Sequence, residues 1–177
     1  MRHACMVIPV LLIGLFCARS YATAENGISI TASLWPYNSL CDLPEPAAPA
    51  KQFRAEKDTT ISISGCLGLK KEWGKPTAVR IHIVNSGNAK TEVTLKGLAT
   101  ILLRKSAGTT STALGIQLWQ PSPFGGEPTV GIANKFVGSL GLIIPPRSEI
   151  DLVVLFKNAV EGDSVIIGEG KPARISK

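Results

Sequence analysis

Pro76-Thr77-Ala78-Val79-Arg80-Ile81-His82-Ile83-Val84-Asn85 is the stretch that decides the fold. Val79, Ile81 and Ile83 fall on one side of an extended chain, and Arg80 and His82 on the other. A period of two is the signature of a half-buried strand; a helix would repeat its apolar positions every three to four residues. Asn85-Ser86-Gly87-Asn88 follows at once, and that composition marks a turn.

The same period recurs on both sides of this strand. Between Gly27 and Leu34, Ile28, Ile30, Ala32 and Leu34 alternate with Ser29, Thr31 and Ser33. Between Asp58 and Gly65, Ile61 and Ile63 alternate with Thr60, Ser62 and Ser64, and Cys66 follows. Toward the C terminus, short apolar runs occupy Thr91–Leu95, Ala99–Arg104, Ala113–Trp119, Lys135–Ile144, Glu149–Phe156 and Val165–Ile167. Leu114, Ile116 and Leu118 share a face in one of them, and Ile150, Leu152, Val154 and Phe156 in another. Proline and glycine separate the runs. Pro44, Pro46 and Pro49 make Asn38–Glu56 a loop, and Pro121, Pro123, Gly125, Gly126 and Pro128 do the same for Gln120–Thr129. Eight or nine short strands with no intervening long helix predict an all-β fold, an antiparallel two-sheet sandwich. An immunoglobulin-like arrangement is the default, with a jelly roll or barrel behind it.

The N terminus reads as a secretory signal. Arg2 and His3 precede an apolar run from Met6 to Phe16, and Ala22-Thr23-Ala24 is a small-x-small cleavage site. The run is far shorter than the roughly 20 residues needed to cross a bilayer as a helix, so no integral membrane anchor is expected. Cys17 as a lipidated residue is the alternative; bulky Phe16 before it departs from the usual small-residue pattern. Cleavage after Ala24 divides the chain into a signal peptide, 1–24, and a single β-domain, 25–177. It removes two of the 19 basic residues, Arg2 and Arg19, and none of the 13 acidic ones, lowering the formal charge from +6 to +4. The remaining charges are interspersed, whereas a nucleic-acid binder clusters its basic residues, so no nucleic acid is expected as a partner. Of four cysteines only Cys41 and Cys66 remain, and in an oxidising compartment such a pair predicts a disulfide. A periplasmic or secreted location follows.

The order of features resembles that of small extracytoplasmic immunoglobulin-like domains of bacteria. The resemblance rests on Val79–Val84 running into Asn85-Ser86-Gly87-Asn88, and on Ile144-Pro145-Pro146-Arg147-Ser148 leading into Leu152–Phe156. It covers roughly residues 76–168 and is a likeness of fold. It implies a binding, adhesion or accessory module. A second likeness, to fimbrial subunits, rests on the signal peptide, the early cysteine pair and the alternating segment at Ile28, Ile30, Ala32 and Leu34. It implies that this segment could serve a neighbouring copy as a donor strand. The closing residues Ala173-Arg174-Ile175-Ser176-Lys177 depart from that pattern, in which an aromatic-bearing strand ends the chain.

Catalytic equipment is sparse. After Ala24 the single histidine is His82, opposite the apolar face of its strand, and it reads as a polar surface residue. There is no Gly-x-Ser-x-Gly elbow, phosphate-binding loop or His-Glu-x-x-His motif. Glu149 and Asp151 lie two apart on one face; they read as the solvated side of an edge strand, with calcium as the alternative. No catalytic residue, metal or cofactor is expected. Trp119, just before the proline- and glycine-rich loop, and Phe124, within it, are the candidate binding residues, because exposed aromatics on a rigid sandwich anchor partners. Trp35, Tyr37 and Trp73 read as packing at the sandwich ends. The expectation is an exported, non-enzymatic protein with a binding or structural role in the envelope, its partner another envelope or secreted protein. A fimbrial subunit or a small secreted enzyme inhibitor are the alternatives.

Overall fold

A computed structural model describes residues 22–23, 27–39, 53–64, 66–120 and 129–177. Its strands are β1 (Ala22–Thr23), β2 (Ile28–Trp35), β3 (Phe53–Ala55), β4 (Thr60–Ser64), β5 (Thr77–Asn85), β6 (Thr91–Leu95) and β7 (Ile101–Arg104). They continue as β8 (Thr110–Thr112), β9 (Gly115–Gln120), β10 (Thr129–Val137), β11 (Leu140–Ile144), β12 (Ser148–Phe156), β13 (Ser164–Ile167) and β14 (Ala173–Ser176). One helix, α1 (Cys66–Trp73), lies between β4 and β5. The fold is mostly β, as the alternation predicts. The described strands number fourteen rather than eight or nine: β1, β3 and β8 lie outside the expected runs, β14 pairs the C-terminal tail, and Lys135–Ile144 divides in two. There Gly138, at φ +98°, ends β10, and β11 starts in a different sheet.

The pairing is not purely antiparallel. The larger sheet runs in the order β4-β10-β9-β12-β5-β2-β14-β13-β7-β8, with β1 paired to β2. All its contacts are antiparallel except β14 against β2, where Ile175 and Ser176 stand beside Ala32 and Ser33 in parallel. A small antiparallel sheet, β3-β11-β6, completes the set. β5 is central: nine residues pair with β12 on one side and eight with β2 on the other.

The strands bury what their period dictates. Val79, Ile81 and Ile83 of β5 are fully buried, together with Ile150, Leu152, Val154 and Phe156 of β12. They share one core with Ile101 and Leu103 of β7, Val165 and Ile167 of β13, Ile175 of β14, and Leu140, Leu142 and Ile144 of β11. Both ends of the strand order and the small sheet thus close over a single apolar interior. Ile28 and Ala32 enter it from β2, with Ile30 and Leu34 packed against it.

The opposite face of the larger sheet is covered at one end by α1. Leu69 is buried against Ala78, Ile132, Val153 and Leu155, with Trp35, Tyr37, Trp73 and Leu114 packed around them. Leu114 therefore belongs to this second cluster and not to the face of Ile116 and Leu118. Gly115 is required here, since a Cβ would stand 3.0 Å from the Trp73 ring and from the Ala133 carbonyl. The helix replaces the expected end of a strand at Cys66. It stops at Gly74, whose φ of +68° suits glycine and whose N–H donates to the Lys70 carbonyl at 3.1 Å. The expected Cys41–Cys66 disulfide lies outside the described residues, as does Phe124; Trp119 is placed only by its backbone, in β9 opposite Val130.

One buried polar residue ties the end of β5 to its surroundings. Asn85 is fully buried. Its Nδ2 donates to the carbonyls of Ala89 at 2.8 Å, Pro145 at 3.0 Å and Ile144 at 3.2 Å, and its Oδ1 accepts from the Gly87 N–H at 3.0 Å. Two turns, 86–89 and 145–148, meet at this side chain. Asn85→Ala leaves buried carbonyls and an N–H unpaired, and should cost about 2–3 kcal/mol in urea unfolding. Val137→Ala, at a residue 58% exposed, should shift stability by less than about 0.5 kcal/mol.

Candidate functional site

The polar residues that alternate with the core on β2, β5 and β12 form rows across the outer face of the sheet. The register aligns Ser29 with Val84 and Glu149, Thr31 with His82 and Asp151, and Ser33 with Arg80 and Val153. Paired residues on neighbouring strands project to the same side. The next row, Trp35, Ala78 and Leu155, passes beneath α1. The helix thus leaves a polar patch bare beside an apolar one.

Asp151 organises that patch. Its Oδ2 accepts from Arg80 Nη2 at 2.5 Å, and its Oδ1 lies 2.8 Å from His82 Nδ1. The other imidazole nitrogen, Nε2, is 3.5 Å from Glu149 Oε2. The Arg80 guanidinium sits 4.9 Å from the centre of the Trp35 ring, a cation–π distance. Asp151 is only 8% exposed, so β12 presents it from the interior of the sheet. It is not on a solvated edge strand, as the Glu149–Asp151 spacing suggests. Burial opposes ionisation of Asp151, but the hydrogen bonds from Arg80 and His82 outweigh it and hold the carboxyl below the usual range. The same bond to Asp151, partly offset by burial, strengthens the Arg80 charge. With both oxygens engaged, Asp151 has little left to offer a calcium ion. Among the described residues no group of three or more His, Cys, Asp or Glu side chains converges on a metal site.

A general base needs a nitrogen turned toward a substrate or a nucleophile. Asp151 orients the His82 ring through Nδ1, and Nε2 stands 3.5 Å from the exposed Glu149 carboxylate. Thr31 shares the row of His82 and Asp151.

A groove of about 760 Å³ opens beside this patch, along β2. Arg80, His82, Ser29, Thr31 and Ser33 form one wall, and Glu161, Gly162, Arg174 and Ser176 another. It lies where β2 parts from β14: the two pair only at Ala32–Ser33, while Ala173 and Arg174 turn aside to pair with β13. Its fixed charges are Arg80 and Arg174 against Glu161, with Arg80 already bound to Asp151. A second, shallower hollow of about 590 Å³ is lined by Trp35, Pro36, Tyr37, Lys75 and Pro76. Its aromatics are engaged in packing, Tyr37 donating its hydroxyl to the Pro76 carbonyl and Trp35 carrying Arg80.

The sequence places Arg80 and His82 on the outer face correctly, and the structure joins Asp151 to them. Trp119 lies in β9, its backbone opposite Val130 of β10. Ser29, Thr31, Ser33 and Arg174 went unremarked as site residues in the sequence; the only signal was the hydroxyl alternation on β2. Among the described residues, three buried polar atoms have no partner: Arg80 Nε, Gln117 Oε1 and Asn134 Oδ1. Asn134 sits at a register break between Ala133 and Lys135. No helix among the described residues is long and apolar enough to cross a membrane. No protein-family model, curated protein or solved structure matches this chain.

A second buried carboxylate, Asp163, braces the turn before β13. It accepts from Lys105 Nζ at 3.0 Å and from the Val160 and Ser106 N–H groups at 3.0 and 3.2 Å. Burial raises its pKa and these bonds lower it by more. Both aspartates therefore titrate lower in the folded chain than in the unfolded one. The stability they add is complete above the unfolded carboxylate value, near 3.9, and is lost as pH falls through it toward the folded value. The urea midpoint should stay level down to about pH 5 and drop steeply below about pH 4. Asp163→Ala should cost about 3 kcal/mol at neutral pH, by taking the carboxylate from Lys105 and the acceptor from the Val160 and Ser106 N–H groups, and should flatten the acid limb.

Proposed function

We propose that the chain is exported, that residues 1–24 are its signal peptide, and that residues 25–177 form an immunoglobulin-like β-sandwich. On this reading it works in the periplasm or outside the cell, by binding another envelope or secreted protein, and not as an enzyme. A Cys41–Cys66 disulfide fits the same compartment.

The strand order supports the sandwich. Taken in chain order, β2, β5, β7, β8, β9, β12, β13 and β14 stand where strands A, B, C, C′, D, E, F and G would. One layer then reads D-E-B-A, as β9-β12-β5-β2, and the other G-F-C-C′, as β14-β13-β7-β8. β2 belongs to both, antiparallel to β5 and parallel to β14.

The observation that carries the binding role is the groove along β2, with a polar wall held rigid by the Arg80–Asp151–His82 cluster. Ion pairs locked in this way fix a surface in advance of its partner, which lowers the cost of ordering it on association. A photo-crosslinking residue at position 174, in the groove, should give a discrete protein adduct in the exporting cell. The same residue at position 70, on the exposed side of α1, should not. Absence of an adduct from position 174 would count against a protein partner. Hydrolysis of an envelope polymer that disappears with His82→Ala would replace binding with catalysis.

One observation favours a second reading, an assembly subunit. β2 is the first long strand among the described residues, and it places Ile28, Ile30, Ala32 and Leu34 against the core, so a neighbouring copy could supply the same strand.

A further inference from the structure

We infer that the edge of β2 from Ile28 to Thr31 is an acceptor site for an extended peptide strand supplied by another protein, in the place that Ala22 and Thr23 hold. The inference rests on the proposed cleavage after Ala24.

β5 occupies one side of β2 along its whole length. On the other side β14 reaches only Ala32 and Ser33. The remaining stretch is met by two residues, with Ala22 opposite Ile30 and Thr23 opposite Ser29, antiparallel. These are residues of the Ala22-Thr23-Ala24 cleavage site. Processing there removes the strand that covers the edge and exposes its unpaired N–H and C=O groups, which are a template for another strand. The exposed edge is about 13 Å long at the rise of an extended chain.

The site's chemistry points to a peptide and away from a polyanion. Two arginines line the groove, but Asp151 already neutralises Arg80, and Glu161 stands with Arg174 on the far wall. Such a balanced set attracts neither sign strongly, whereas main-chain pairing is indifferent to charge. The register also places the incoming strand. Two of its residues would stand opposite Ile30 and Ser29, which both line the groove, Ile30 also packing against the core. It runs antiparallel to β2, which remains seated in its own sheet; in the donor-strand reading β2 would leave for a neighbour.

The test uses the protein purified after export, with its N terminus read by intact mass. The probe is the capped peptide Ser20-Tyr21-Ala22-Thr23-Ala24-Glu25, and the control is the same peptide with Ala22→Pro and Thr23→Pro. Proline removes the ladder donors without changing charge. The processed protein should begin at Glu25. The probe should slow amide hydrogen exchange at 28–31 by about tenfold in a saturable way, and the proline peptide should leave it unchanged. A Glu25 start with no effect of the probe, or with equal effects of both peptides, overturns the acceptor site alone. Protection of 28–31 by dextran sulfate and not by the probe overturns it in favour of a polyanion. A mass that retains residues 22–24 overturns the processing reading together with the inference.

Discussion

The double pairing of β5 is the constraint on which the rest of the structure depends. Among the described residues it is the long strand held along its length from both sides, by β12 and by β2. Its period of two cannot be satisfied on one face alone. Burying Val79, Ile81 and Ile83 obliges Arg80 and His82 to project from the other face of an interior strand. There they are too enclosed to remain unpaired without cost. Asp151, at the matching position on β12, relieves that cost for both. The ion cluster is in this sense a consequence of strand order, and it is half-buried because its strands are central.

The two faces are completed by different means. Inside, strands from both ends of the pairing order converge on one core. Outside, α1 covers the rows nearest Trp35 with Leu69 and Trp73 and stops at Gly74. Beyond it the sheet would be bare, and there the sequence changes from Ala78, Leu155 and Trp35 to Arg80, Asp151 and Ser33. Trp35 marks the boundary, packed against the helix cluster while its ring receives the Arg80 guanidinium. An exposed ion pair contributes little to stability. One stacked on an aromatic ring and sharing a buried carboxylate is held in a single geometry, and a rigid polar wall is what a groove needs to be selective.

Much of this was legible in the alternation. The inward residues of β2, β4, β5, β6 and β12 are those the period of two selects, and the outer position of Arg80 and His82 follows from it. The strand order was not legible, because a period says which face a residue occupies and not which strand lies beside it. For that reason Glu149 and Asp151 looked like the solvated side of an edge strand, and the partner of His82 stayed hidden. The helix escaped for another reason. It is eight residues long, and among its described side chains Leu69 and Trp73 point inward, too few to establish a 3.6-residue period. Its stop signals were nevertheless in the sequence, in Gly74 and Pro76. The polar residues of the groove are mainly serine, threonine and arginine, which composition does not single out.

The position of β2 connects fold and function. β5 holds one edge of β2 along its whole length, and β14 reaches the other edge only at Ala32 and Ser33. The opening between β2 and β14 lies where that second edge has no pairing from β14; it needs no cavity carved from the core. Ala173 and Arg174 pair with β13 and not with β2. The open stretch is therefore set by how far β14 runs along β2. Any segment that fills it must be extended and must come from outside them. Ala22 and Thr23 meet both conditions, and a peptide from a partner would meet them equally well.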